Sequence, residues 1–147
     1  YRNFDLTMFW QGVFNINVEN IQKYHTDFWS VRETGSNKGR RLLDAWSPSN
    51  PDSDIPAISA TDTNWENRLS TYFIENGSYL KLRTLQLGYT LPKRWAFKVK
   101  MDKFRLYVSG QNLLTIKSKS FTGIDPENPA FGYPIPMSFT VGANISF

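Results

Sequence analysis

Cysteine is absent from the 147 residues, which removes disulfides, thiol nucleophiles and thiolate metal ligands. Histidine occurs once, as His25. With no second histidine and no cysteine beside it, neither a zinc site nor a histidine-based triad can be assembled, and a hydrogen bond within a loop is its expected role. No apolar run approaches the ~18 residues that a membrane-crossing helix needs. No catalytic residue, no metal site and no cofactor is therefore expected, and the chain is not read as an enzyme. The chain opens at Tyr1 with no signal peptide, whereas the strands described below demand export, so a longer precursor is expected.

Aromatic residues are what the chain has in quantity: 11 Phe, 7 Tyr and 5 Trp, or 16% of the sequence. A transmembrane barrel places such rings in girdles at the two lipid–water boundaries. The last eleven residues, MSFTVGANISF, alternate strictly. Phe139, Val141, Ala143, Ile145 and Phe147 share one parity, and Ser138, Thr140, Gly142, Asn144 and Ser146 the other. Successive side chains of a strand face opposite ways, so one face suits lipid and the other a polar lumen. About ten residues at ~3.3 Å each, tilted by ~45°, cross the ~25 Å apolar band of an outer membrane.

Three further segments repeat the pattern. In FDLTMFWQGV, residues 4–13, Phe4, Leu6, Met8 and Trp10 alternate with Asp5, Thr7 and Gln11, Phe9 being the exception. In SYLKLRTLQLGYTL, residues 78–91, Leu85, Leu87, Tyr89 and Leu91 are odd-numbered while Leu80 and Leu82 are even. That phase break is what a β-bulge produces. In FRLYVSGQ, residues 104–111, Phe104, Leu106 and Val108 alternate with Arg105, Tyr107, Ser109 and Gln111. An arginine is costly on a lipid face, so its parity is assigned to the lumen. The fold class is all-β: a transmembrane antiparallel barrel with strands at about 2–14, 78–91, 103–115 and 137–147.

Connections of about 15–77, 92–102 and 116–136 run long, short, long, as barrels alternate long extracellular loops with short periplasmic turns. A periplasmic carboxyl terminus puts both long connections outside the cell, and puts Phe4, Tyr89, Phe104 and Phe147 together at the periplasmic strand ends. Four strands cannot close a barrel, and open edges are not tolerated in lipid. The remaining strands are expected from the rest of the same protein.

The net charge of +4 does not point to nucleic acid. Lys93, Arg94, Lys98, Lys100, Lys103 and Arg105 crowd one short connection, and the long loop mixes in Asp44, Asp52, Asp54, Asp62 and Glu66. The basic cluster reads as a solvated turn. In the long loop, SPSNPDSDIP at 47–56 is dense in turn formers, and RRLLDAW at 40–46 is long enough for one or two helical turns.

Several motifs stand in order. SYLKLRTLQLGYTLP (78–92), RLYVSGQNLLT (105–115), GIDPE (123–127) and YPIPMSFTVGANISF (133–147) follow FDLTMFWQGV (4–13) and WSPSNP (46–51). Together they resemble the carboxyl-terminal part of the SusC/RagA family of TonB-dependent outer-membrane transporters, over nearly the whole chain. Met137 departs from the pattern, standing where the family carries a basic residue. The resemblance implies a 22-stranded, plugged barrel integral to the outer membrane. It implies uptake of oligosaccharides or peptides beneath a SusD-like surface lipoprotein, powered by the TonB complex through N-terminal regions absent from this chain. It also implies recognition of the terminal strand by the barrel-assembly machinery, with Phe139, Val141, Ile145 and Phe147 as the signal. A siderophore or vitamin TonB-dependent receptor, and a barrel-anchored adhesin or structural protein, stay open as alternatives.

Candidate contacts follow from these placements. Tyr24, Phe28, Trp29, Trp46 and Trp65 lie on the long outer loop, where rings can stack on cargo or hold the lipoprotein, or can pack the loop on itself. Arg83, Arg105, Tyr107 and Gln111 are candidate lumen residues that would meet cargo or the plug. Asp125 and Glu127 flank Pro126 and are expected to shape a turn rather than to hold a hard cation.

Overall fold

The computed structural model describes residues 2–28, 36–62, 65–66, 68–130 and 132–147. Six strands dominate it: β1 (Phe4–Val13), β2 (Asn17–Glu19), β3 (Ile74–Asn76), β4 (Tyr79–Thr90), β5 (Lys103–Lys117) and β6 (Ser138–Ser146). Two short helices, α1 (Gln22–Thr26) and α2 (Lys93–Ala96), and three single 3-10 turns complete the elements. No helix among the described residues is long and apolar enough to cross a membrane, which does not bear on crossing by strands. The chain divides into two compact units: residues 1–14, 79–116 and 135–147, and residues 15–78 with 117–134.

The first unit is one four-stranded sheet in the order β1-β4-β5-β6, a meander whose neighbours are successive long strands. Its register follows from the alternation. Phe4 faces Tyr89, Leu6 faces Leu87 and Met8 faces Leu85, all apolar against apolar. On the other side Phe104 faces Ile145, Leu106 faces Ala143 and Val108 faces Val141. The phase break of β4 is absorbed between Phe9 and Trp10, which pair with Thr84 and Leu82 and leave Arg83 as the extra residue. A one-residue bulge thus lets the even-numbered Leu82 meet Trp10 on the same face as the odd-numbered Leu85 and Leu87. Phe4, Leu87, Tyr89, Leu106, Val108 and Val141 line one shallow recess, so the apolar rows are continuous across the strands.

The second unit is built from the two long connections. The Asn15 amide donates to Ser78 Oγ at 3.0 Å, Gly77 N to Ile16 O at 2.8 Å and Ser118 N to Ser78 O at 2.9 Å. The three chain passages are thereby tied where they enter the unit. Asn15 makes the turn out of β1 at φ 58°, a left-handed conformation that asparagine tolerates better than most residues. β2 and β3 pair antiparallel as a short ribbon. Around it, Tyr24, Phe28 and Phe73 form a small aromatic core, and Leu42, Ala45 and Ile55 form another. RRLLDAW makes a 3-10 turn over Arg40–Asp44, and Ser47 and Asn50 close the WSPSNP turn by mutual backbone hydrogen bonds.

Candidate functional site

On the sheet, polar side chains are linked across strands in two groups, one around Arg105 and one around Arg83. Arg105 on β5 grips Asp5 on β1 through Nε to Oδ1 at 3.0 Å and Nη2 to Oδ2 at 2.5 Å. Such a two-point fork is the strongest way an arginine holds a carboxylate. The pair reaches over Gly88 on the intervening β4, where a Cβ would lie 2.5 Å from both Arg105 Nη2 and Asp5 Oδ1. Glycine is the residue that lets the bridge lie against the sheet. Tyr107 lies over Gly142 of β6 in the same way, an aromatic ring covering a bare glycine across strands, with the Arg105 guanidinium 5.4 Å from its centroid. At the bulge, Arg83 Nε donates to Gln11 Oε1 at 2.8 Å and Nη1 to Asn112 Oδ1 at 3.4 Å. Gln111 is exposed on β5. Three of the four candidate lumen residues are thus held by neighbouring strands of their own sheet. Asp5, Gln11 and Gly88 were not singled out from sequence. Asp5 had a usable signal, being the one acid on the polar parity of the first strand.

The terminal-strand residues Phe139, Val141, Ile145 and Phe147 are all exposed, on the parity of the apolar face.

In the loop unit a buried carboxylate is the organising centre. Glu75 on β3 accepts from Lys23 Nζ at 2.8 Å, from Asn20 Nδ2 at 2.8 Å, and from Thr122 through Oγ1 at 2.8 Å and its backbone amide at 2.9 Å. Lys23 and Asn20 belong to the first connection and Thr122 to the second. One side chain therefore clips two segments that are far apart in the chain. Lys23 Nζ also donates to Tyr72 O at 2.7 Å and lies 4.2 Å from the centroid of the Tyr72 ring. A second carboxylate, Asp27, accepts from the Tyr72 hydroxyl at 2.6 Å and pairs with Arg41 at 3.0 Å. Arg41 in turn donates to Thr122 Oγ1 at 3.0 Å. The two acids and two bases balance, and the desolvation cost of burying them is offset by the density of hydrogen bonds. Burial pushes the Glu75 carboxyl up, but the bonds from Lys23, Thr122 and Asn20 outweigh it and hold it below its ordinary value. Burial first, then the Asp27 carboxylate, push the Tyr72 phenol well above its ordinary range. This arrangement suits holding shape: every charged group faces a fixed partner.

The aromatic candidates separate. Tyr24 and Phe28 are buried, Tyr24 stacked on Phe73 at 3.7 Å and 10° and Phe28 tilted against it at 5.5 Å. They pack the loop on itself because their rings are the loop's main apolar surface. Trp46 and Trp65 remain open, 44% and 74% exposed, and Trp29 lies outside the described residues. Trp65 borders a cavity of about 310 Å³ shared with Phe28, Glu66, Arg68 and Tyr72, at the small end of ligand-sized pockets. Asp125 Oδ1 accepts from the Glu127 amide at 2.9 Å, a side-chain-closed turn. Among the described residues no three His, Cys, Asp or Glu side chains are grouped so as to hold a metal. Glu75, Asn20, Lys23 and Thr122 were missed from sequence because their contacts span 47 to 55 residues or more, with no local pattern to mark them.

No protein-family model matches the chain. The whole chain aligns with TonB-dependent receptor P3 of Formosa agariphila at 32% identity over 166 residues, covering 15% of that protein. It aligns with TonB-dependent receptor SusC of Bacteroides thetaiotaomicron at 28% identity over 155 residues, covering 14% of it. Among solved structures, the RagAB peptide importer in its closed-closed state superposes with a TM-score of 0.76 at 26% identity, over 100% of this chain and 16% of that one. The chain thus spans about one-sixth of the length of the proteins it matches.

Proposed function

Because the chain belongs to the SusC/RagA family of TonB-dependent receptors, we propose that it supplies four adjacent strands and two outer loops of an outer-membrane nutrient importer. The observation that carries this reading is the sheet with one continuous apolar face and one polar, arginine-bearing face. In water the apolar face would be a large exposed patch, and in a bilayer it is the surface that lipid requires. The edges of β1 and β6 pair with the remaining strands of a plugged barrel, since no open edge survives in hydrocarbon.

In this reading Arg83, Arg105, Tyr107 and Gln111 face the lumen. The Asp5–Arg105 fork neutralises charge at the wall, and Gln111 is free to meet the plug or cargo. The loop unit stands outside the cell as a preshaped platform for a SusD-like lipoprotein, with Trp46 and Trp65 offered to that partner or to an oligosaccharide or peptide cargo. The terminal Phe147 and its row serve barrel assembly. In this reading its role is transport, as the names of its relatives indicate.

Purification of the full-length protein from outer membranes tests this. A stoichiometric surface lipoprotein is expected to copurify in detergent, and deletion of Phe147 is expected to lower the amount of folded barrel. A stable, monomeric, water-soluble product from residues 1–147 alone would contradict it.

A further inference from the structure

The short connection between β4 and β5 carries charge that the transport reading leaves unused. Residues 92–103 contain Lys93, Arg94, Lys98, Lys100 and Lys103 against the single acid Asp102. Among the described residues, neither Arg94 nor Lys98 has a carboxylate within ion-pair distance. Instead both cations lie beside one indole: Arg94 Cζ is 6.0 Å and Lys98 Nζ 5.7 Å from the centroid of the Trp95 ring. A cavity of about 220 Å³ opens between these three side chains. Trp95 and Phe97 are 55% and 60% exposed. The segment is fastened to the sheet, since Asp102 N donates to Ser146 O at 2.9 Å and Leu91 N to Phe104 O at 2.8 Å. It therefore sits at the strand ends that carry Tyr89, Phe104 and Phe147, with Phe4 packed on Tyr89 at 4.7 Å.

We propose that the recess of Arg94, Trp95 and Lys98 binds the phosphate of an anionic phospholipid in the leaflet next to this turn. The inference rests on the barrel reading above. Two unpaired cations converging on one small recess match a phosphate in charge. An exposed indole between them is the side chain that settles at the boundary of acyl chains and headgroups. The strand ends to which the turn is fastened carry the apolar Phe4, Tyr89, Phe104 and Phe147, side chains of the kind an acyl chain lies along.

Native mass spectrometry of the full-length protein, released from detergent with added phosphatidylglycerol, tests the site. The wild type is expected to retain bound phosphatidylglycerol in preference to phosphatidylcholine. The R94Q/K98Q variant is expected to retain it roughly 10- to 30-fold less, each cation near an anionic surface being worth about a fivefold change, while K119Q in the other unit behaves as wild type. Equal retention by wild type and R94Q/K98Q would overturn the proposal. So would displacement of the lipid by millimolar inorganic phosphate, which would mark a site for a soluble anion. Heat-modifiable migration of the same samples reports separately whether a barrel has formed, so a failed barrel reading is not mistaken for a failed lipid site.

Discussion

The sheet and the loop unit solve opposite problems with the same kinds of residue. The sheet exposes its hydrophobic side chains and ties its charges together across one polar face, as the Asp5–Arg105 fork does over Gly88. The loop unit buries both, stacking Tyr24 on Phe73 and sealing Lys23 against Glu75. The sheet's charges could be deleted with the strands still paired, because its backbone ladder carries it. The loop unit has only a three-residue ribbon, β2 with β3, so its side-chain network must hold the backbone in place. A salt bridge is thus incidental in one region and structural in the other.

The sharpest way to separate the regions is Glu75→Gln. It leaves the Lys23 ammonium buried without its counter-charge and is expected to cost about 3–5 kcal/mol of local stability. Hydrogen exchange of the full-length protein should show the amides of residues 17–27 and 70–76 losing protection by two orders of magnitude or more, with β4 and β5 unchanged. Val141→Arg should do the reverse. Near the middle of β6 it places a charge on the apolar face at about 2–4 kcal/mol. The heat-modifiable fraction recovered from membranes should fall, while loop exchange in the molecules that do fold stays as in the wild type.

Acid should divide the regions as well. The Glu75 carboxyl is held below its ordinary value, so its contribution is complete above about pH 5 and disappears as the pH falls below about 4. Tyr72 has the opposite sign: its phenol is raised, so the stability it adds is full below about pH 10 and is lost as the pH climbs past that. Exchange at residues 17–27 measured from pH 3 to pH 7 should accelerate at the acid end beyond the intrinsic chemical rate. In Glu75→Gln that excess should vanish.

The two regions also differ in how far they could be read from sequence. The sheet was legible because its rule is local: parity in FDLTMFWQGV and MSFTVGANISF marks each face residue by residue. Even the irregularity announced itself, since the change of phase between Leu82 and Leu85 locates the bulge at Arg83. The loop unit followed no such rule. Its prolines and serines marked turns, and Arg40–Asp44 made the short helical turn they allowed. Nothing local distinguishes Glu75 from the exposed acids Asp52 or Asp62, because its partners come from Asn20, Lys23 and Thr122 and only folding brings them together. For the same reason Tyr24 and Phe28, which looked like Trp46 and Trp65 in sequence, turned out to be core.

The two long connections form one unit clipped through Glu75, and Thr122→Val puts that clip to the test. The substitution lies in the second connection and removes the hydroxyl bonds to Glu75, Asn20 and Arg41, at a cost of about 1–2 kcal/mol. Hydrogen exchange of the full-length variant should therefore quicken by roughly tenfold at residues 17–27 and 70–76 of the first connection, as well as around the mutation. An increase confined to residues 118–124 would mean that the connections fold separately and that Glu75 does not join them.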